Sequence, residues 1–220
     1  MNVQSKNMSP KTPNKFYEIR LEKQTLIMDV ALVLFANGGY FKTSIKNIAR
    51  HAGISQGLIY NYFESKEELL MAIINRFMEE ISQYLGPDKN SFLSEKEFET
   101  FIRKFFSLLK EKITFWRLLS QLLLQKDVRE QFLKSKTGSV KSTQVMYTNR
   151  SNTFLLLLSN MITDYFDRKK DRKPADYDPD LEMNMFIYTI EGFARIAIAR
   201  EEVDEVNYQK TINKIIDLYK

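Results

Sequence analysis

The chain of 220 residues contains no cysteine. Disulfide bonds and thiolate metal sites are therefore outside its chemistry. It has one histidine, His51, so neither a histidine-rich zinc site nor a Ser-His-Asp arrangement elsewhere in the chain can be built. Glycine and proline are sparse, seven and five, and no Gly-rich phosphate loop or dinucleotide fingerprint occurs among them. The most apolar stretch, residues 153–159, is far too short to span a bilayer. The polar N-terminus lacks a secretory-type apolar segment, so a cytoplasmic location with no membrane partner is expected. The adjacent carboxylates Glu201 and Glu202 sit in polar surroundings and read as solvated surface. These absences leave no catalytic group, no metal ligand set and no cofactor site to nominate.

What is present points to helices. Hydrophobic residues make up 44%, enough for a core in one large domain or two small ones. Leu, Lys, Ile, Glu and Phe dominate, which favours an all-α protein. The net charge of +5 is unevenly spread. Residues 1–66 hold nine cations (Lys6, Lys11, Lys15, Arg20, Lys23, Lys42, Lys46, Arg50, Lys66) against four acids, and the rest of the chain holds 24 of each sign. A basic N-terminal module beside a neutral remainder is the charge footprint of nucleic-acid binding.

Residues 43–69 carry the sharpest pattern. Ile45, Ile48, Ala49 and Ala52 share one face of a helix over 45–51, and Ser44 stands where its hydroxyl can cap it. Gly53 follows, where the chain must leave through a left-handed turn. Ile54 is expected in the core, and Ser55 caps a second short helix reaching about Tyr62. Ser55, Gln56, Asn61 and the hydroxyls of Tyr60 and Tyr62 crowd onto this helix. So short a helix is not stabilised by packing alone. A helix, a tight glycine turn and a second helix also describe an ordinary αα-hairpin, but the polar outer face favours a helix-turn-helix, whose second helix lies in the major groove of DNA.

The sequence resembles the TetR family of transcriptional regulators. The resemblance runs from Ile27, Ala31, Leu34-Phe35-Ala36 and Gly39-Tyr40, through Thr43-Ser44-Ile45, Ile48-Ala49 and Ala52-Gly53-Ile54-Ser55-Gln56-Gly57. It continues with Ile59-Tyr60, Tyr62-Phe63, Ser65-Lys66-Glu67 and Leu69. It covers about a fifth of the chain. Gln56 stands where a lysine is frequent, and Leu58 where a small polar residue is frequent. Phosphate contacts are expected from Ser44, Lys46, Tyr60 and Lys66, which flank the reading helix, with the hydroxyls of Ser55 and Tyr62 on the same polar surface. Gln56, Gly57 and Asn61 are expected at base edges, and Leu58 against a thymine methyl.

The organisation follows. Residues 1–13 form a loose basic tail, 14–64 the three-helix DNA-binding head, and 65–220 a helical body. The head opens with a helix over 14–37 ended by Gly38-Gly39. Ser65 to Glu68 reads as a capping box for a helix to about Leu85, and Ser94 to Glu97 as another. Further helices are expected near 115–125, 128–136, 139–147, 151–167, 178–200 and 207–219. The charged run 167–178 reads as an exposed linker. The resemblance implies that the body encloses a ligand cavity, for which Phe101, Phe105, Trp116 and Tyr147 are the lining candidates. It also implies a two-fold dimer in which the helices from Ser151 and Asp178 pair with their copies. The candidates are Leu158, Met161, Ile162 and Tyr165 on the first, and Met185, Tyr188, Gly192, Phe193 and Ile196 on the second. Their packing within one chain is the bland alternative. The implied function is a homodimeric repressor on palindromic double-stranded operator DNA, released by a small apolar or aromatic effector. The rival is a helix-turn-helix protein that binds no small molecule and acts through a protein partner.

Overall fold

A computed structural model of the chain describes residues 13–85, 93–124, 149–172, 174–200 and 204–220. The expected helices over 128–136 and 139–147, and most of the basic tail, lie outside the described residues. The chain forms two compact units, Met1–Leu70 and Met71–Lys220. Each is helical throughout its described residues.

In the first unit, α1 covers Pro13–Gly38, α2 Ile45–Ala52 and α3 Gln56–Tyr60, and α4, Lys66–Leu85, begins. Ile27, Ala31 and Phe35 recur at every fourth position of α1 and are fully buried, as are Ile48 of α2 and Ile59 of α3. α1 ends where Gly39 takes φ +84, and its N–H bonds the Phe35 carbonyl at 3.0 Å. Each cap of the short helices is local. Ser44 Oγ accepts from the Asn47 N–H and Ser55 Oγ from the Leu58 N–H, each at 3.2 Å. Gly53 sits at φ +64, and beyond it the Ile54 N–H reaches back to the Ala49 carbonyl at 3.1 Å, closing α2. Ile54 itself is half-buried rather than a core residue.

Two local expectations change. α3 stops at Tyr60, because the chain turns there to bury Phe63, whose N–H bonds the Ile59 carbonyl at 3.0 Å. Ser65 caps α4 by accepting from the Glu68 N–H at 3.0 Å, but the Glu68 carboxylate reaches one residue further back, to the Glu64 N–H. It is thus half a capping box, with the return bond displaced outward.

The second unit continues α4 and adds α5 (Glu95–Glu111), α6 (Ile113–Leu123), α7 (Asn149–Lys169), α8 (Pro179–Ala199) and α9 (Glu205–Tyr219). A full capping box opens α5: Glu97 N–H to Ser94 Oγ at 3.3 Å and Ser94 N–H to Glu97 Oε2 at 2.7 Å. The Ser94 hydroxyl first, and then the Ser94 backbone N–H, hold the Glu97 carboxyl below the usual carboxylate range. Asp178 accepts from the Asp180 and Leu181 N–H groups with Pro179 at the first position of α8. Asp204 does the same for α9, which therefore starts at Glu205, two residues ahead of the expected start.

Aromatic rings fill the middle of this unit. Phe98 stacks on Tyr165 at 4.2 Å and also meets Phe166 and Phe186. Phe106 meets Phe193 at 5.0 Å and Tyr208 at 6.2 Å, and the Tyr208 hydroxyl donates to the Phe106 carbonyl at 2.8 Å.

The run 167–178 is only partly the exposed linker that its balanced charges suggest. α7 continues through Arg168 and Lys169 into a 3-10 turn, Lys170–Arg172. The Lys169 ammonium bonds Glu182 Oε1 at 3.1 Å and the Tyr219 carbonyl at 2.9 Å, and it lies over the Tyr165 and Phe166 rings. A long aliphatic stem lets this cation pack on rings while its head finds partners on α8 and α9.

Candidate nucleic-acid interface

The only buried residue of α3 is Ile59. The helix is held by its Ser55 cap, by Ile59 beneath it and by the turn that follows, and the rest of its surface faces outward. Gln56, Gly57, Tyr60 and Asn61 are exposed there, with Ser44, Lys46 and Ser55 exposed beside them. Leu58, Tyr62 and Lys66 are half-buried. Gly57 is informative because a Cβ placed on it would meet nothing within 4 Å. Nothing inside the unit requires a glycine at that point, although glycine lowers helix stability by about 1 kcal/mol relative to alanine. Its use leaves bare backbone on the outer face of the reading helix.

The expected contacts differ in how free they are. No described residue pairs with the Lys46 ammonium. Ser44 and Ser55 use a lone pair for capping and keep their own hydroxyl hydrogens for a partner. Lys66 is engaged: its Nζ bonds the Tyr40 carbonyl at 3.1 Å and the Thr43 carbonyl at 3.3 Å and stands 4.4 Å over the Tyr40 ring. The Tyr40 hydroxyl donates to Glu67 Oε1 at 3.0 Å. Burial, and then the carboxylate beside it, raise the Tyr40 hydroxyl above its ordinary range. The Glu67 carboxyl is held low, first by its own backbone N–H and then by Tyr40. Thr43 is buried and donates to the Gly39 carbonyl at 2.9 Å. His51 is local, its Nδ1 lying 2.8 Å from the Asn47 carbonyl. The pairing of Tyr40 with Glu67 is not legible in the sequence, because they are 27 residues apart and share no helix face. The guanidinium of Arg20, 5.4 Å above the Tyr62 ring, is not legible there for the same reason.

In the second unit Phe105 and Trp116 come together at 6.2 Å, and Trp116 also meets Phe115 at 5.7 Å. Phe101 is buried and has no ring contact with them among the described residues. Tyr147 lies outside the described residues. Among the described residues, Trp116 Nε1 and Asn75 Oδ1 are buried without a hydrogen-bond partner. On α8 the residues Leu181, Met185, Tyr188 and Ile196 are exposed, Tyr188 to 69%. Gly192 is exposed among them, and a Cβ there would again meet nothing within 4 Å. Phe193 turns inward to Phe106 and Tyr208. On α7 the expectation needs correction. Met161 and Tyr165 are buried in the core of their own chain, where Tyr165 stacks on Phe98; Leu158 and Ile162 are half-buried, and Leu157 is exposed.

A pair of short capped helices, the second with a bare polar outer face, is the helix-turn-helix of DNA-reading proteins. Residues 27–73 match the family model for bacterial regulatory proteins of the tetR family. It is similar to the fatty acid metabolism regulator protein of Bacillus subtilis (strain 168), at 32% identity over 88 residues, 40% of this chain and 45% of that protein. It is also similar to the HTH-type transcriptional repressor KstR2 of Rhodococcus jostii, at 36% identity over 59 residues, 27% of this chain and 29% of that protein. These matches thus span less than half the length of the two curated relatives. Over most of its length the chain shares its fold with the transcriptional regulator FadR from Bacillus subtilis, solved in complex with stearoyl-CoA. The TM-score is 0.61 at 21% identity, covering 89% of this chain and 96% of that one. No helix among the described residues is long and apolar enough to cross a membrane.

Proposed function

We propose that the chain is a homodimeric transcriptional repressor that holds a partly palindromic operator and is released from it by a small molecule with an apolar or aromatic body. The observation that carries the reading is the outer face of α3, where Gln56, Tyr60 and Asn61 are exposed around a glycine that the unit's own packing does not require. Gln and Asn bond adenine bidentately, and bare backbone at Gly57 allows close approach to the base edges.

Dimerisation is supported by the exposed stripe Leu181, Met185, Tyr188 and Ile196, with Gly192 at its middle. Apolar surface of this extent favours a partner, and the uncrowded glycine allows the backbone of a second α8 to come close. Two-fold symmetry would place two reading helices about 34–36 Å apart, in successive major grooves.

The effector reading rests on the relatives and on Trp116. FadR from Bacillus subtilis was solved with stearoyl-CoA, so acyl compounds are the first class to screen here. Trp116 Nε1, buried without a hydrogen-bond partner among the described residues, would be relieved by an effector whose apolar body carries a hydrogen-bonding group, since such an atom costs about 1–3 kcal/mol while unpaired. Release requires that the effector bind the non-DNA-binding conformation more tightly. α4 runs from one unit into the other, Lys66–Leu85, and would carry that bias.

The test is selection of random duplexes on the purified protein. A pseudo-palindrome with half-sites one helical turn apart is expected. Retention without sequence preference would refute the operator reading.

A further inference from the structure

α1 is longer than its packing requires. Its buried face begins at Ile27, whereas residues 15–18 and 20–22 are exposed, so the first three turns add little to the core. Arg20 stands on this segment. Its neighbours along the helix surface, three and four residues away on each side, are Phe16, Tyr17, Lys23 and Gln24, none of them acidic. No described residue forms an ion pair with it. Its guanidinium carbon lies 5.4 Å from the centre of the Tyr62 ring, and Tyr62 lies two residues beyond the end of α3.

We propose that Arg20 is a DNA-backbone contact, held by the Tyr62 ring beside the C-terminal end of α3 and binding a phosphate at the margin of the groove that α3 enters. The assignment rests on the DNA-reading role proposed for α3. Arginine suits the position for a specific reason. One face of the guanidinium can stack on the ring while its edge keeps a fork of donors free, and that fork matches two phosphate oxygens. The ring restricts the side chain to the edge of the reading helix, so less freedom is lost on binding. The projecting turns of α1 are what bring this cation to a ring on another element. Tyr62 is thus a positioning residue for Arg20, in addition to any contact from its own hydroxyl.

The test uses the full chain and the duplex recovered by selection, with fluorescence anisotropy measured between 50 and 200 mM salt. Each phosphate contact contributes about −0.9 to the slope of log affinity against log salt. Arg20→Ala should therefore flatten the slope by about 0.9 per protomer, about 1.8 for a dimer. The advantage of the native chain over the variant should then shrink about twelvefold across that salt range. Tyr62→Phe, which keeps the ring, should leave the slope unchanged. Tyr62→Leu should lower affinity, and Arg20→Ala should add less on that background than on the native one. Arg20 is exposed, so its loss should not move the melting temperature, and a purely structural role would not move the salt slope. A native chain with a steep slope and an Arg20→Ala variant with the same slope would overturn the assignment while leaving the DNA reading intact. A native chain that binds no duplex would overturn both.

Discussion

Gly57→Ala separates what folding needs from what the interface needs. Gly57 is inside α3, its backbone is not left-handed, and a Cβ there enters open space. Within the protein alone the substitution is favourable. Alanine exceeds glycine in helix stability by about 1 kcal/mol in a helix interior, and it reduces the freedom of the unfolded chain. α3 has only five residues and Gly57 is in its first turn, so the gain should be nearer 0.5 kcal/mol. For a chain of this size that raises the melting temperature by about 1–2 °C. The DNA side moves in the opposite direction. The new methyl stands between Gln56 and Leu58 on the surface that must approach the bases. Losing one good side-chain-to-base contact costs about 1–3 kcal/mol, roughly 5- to 150-fold in operator affinity. Thermal melting followed by circular dichroism and anisotropy on the selected duplex measure the two effects in one preparation. A variant that melts lower would mean that Gly57 serves the fold. A variant that melts higher and binds its operator with unchanged affinity would mean that α3 does not face the bases as argued.

Lys46→Ala should weaken binding to all duplexes alike and flatten the salt slope by about 0.9 per protomer. Gln56→Ala should relax preference at one operator position, as a competition assay against single-base variants would show; no change in either variant would dismiss this docking. Gly192→Leu should separate the paired α8 helices and give monomers that lose the operator, and sedimentation of an intact dimer would move the interface elsewhere. Titrating an acyl compound against free and operator-bound protein, with Trp116 fluorescence as readout, should give affinities that differ by the factor through which the compound weakens DNA binding. A coupling of about 2–3 kcal/mol corresponds to roughly 30- to 150-fold, and equal affinities would mean that the compound is no inducer.

The parts of the head that were legible in the sequence are those whose physics is local. Ser44 and Ser55 cap the third residue beyond them, and Gly53 turns the chain at the next step, so spacing alone locates the α2 and α3 caps. Reading fails where partners are remote or where a helix is apolar on more than one side. Tyr165 and Met161 fit an interface stripe by periodicity, yet the stripe does not say which side meets Phe98, and the structure turns both inward. α8 carries the same ambiguity: Phe193 is among its interface candidates, yet it turns inward to Phe106 and Tyr208, whereas Gly192 stays exposed. Lys169 is read as solvated from a run of balanced charges, since neither its ring contacts nor the Tyr219 carbonyl is visible in sequence. The end of α3 was placed two residues late because the pull of Phe63 into the core is a tertiary effect.

The clasp at the root of α4 bears on where this protein can be cut and rejoined. Lys66 and Glu67 are consecutive, and both close on Tyr40, one through the ring face and backbone carbonyl, the other through the hydroxyl. The first turn of α4 is therefore part of the head, and the division between the units falls after Leu70. A chimera that joins this head to a foreign body before Ser65 would import a turn with no grip on Tyr40 or Thr43 and leave the α1–α2 corner untied. A graft made beyond Leu70 keeps the corner intact, and whatever rotation the new body imposes on the rest of the helix is delivered to the head through a root that resists turning about its own axis.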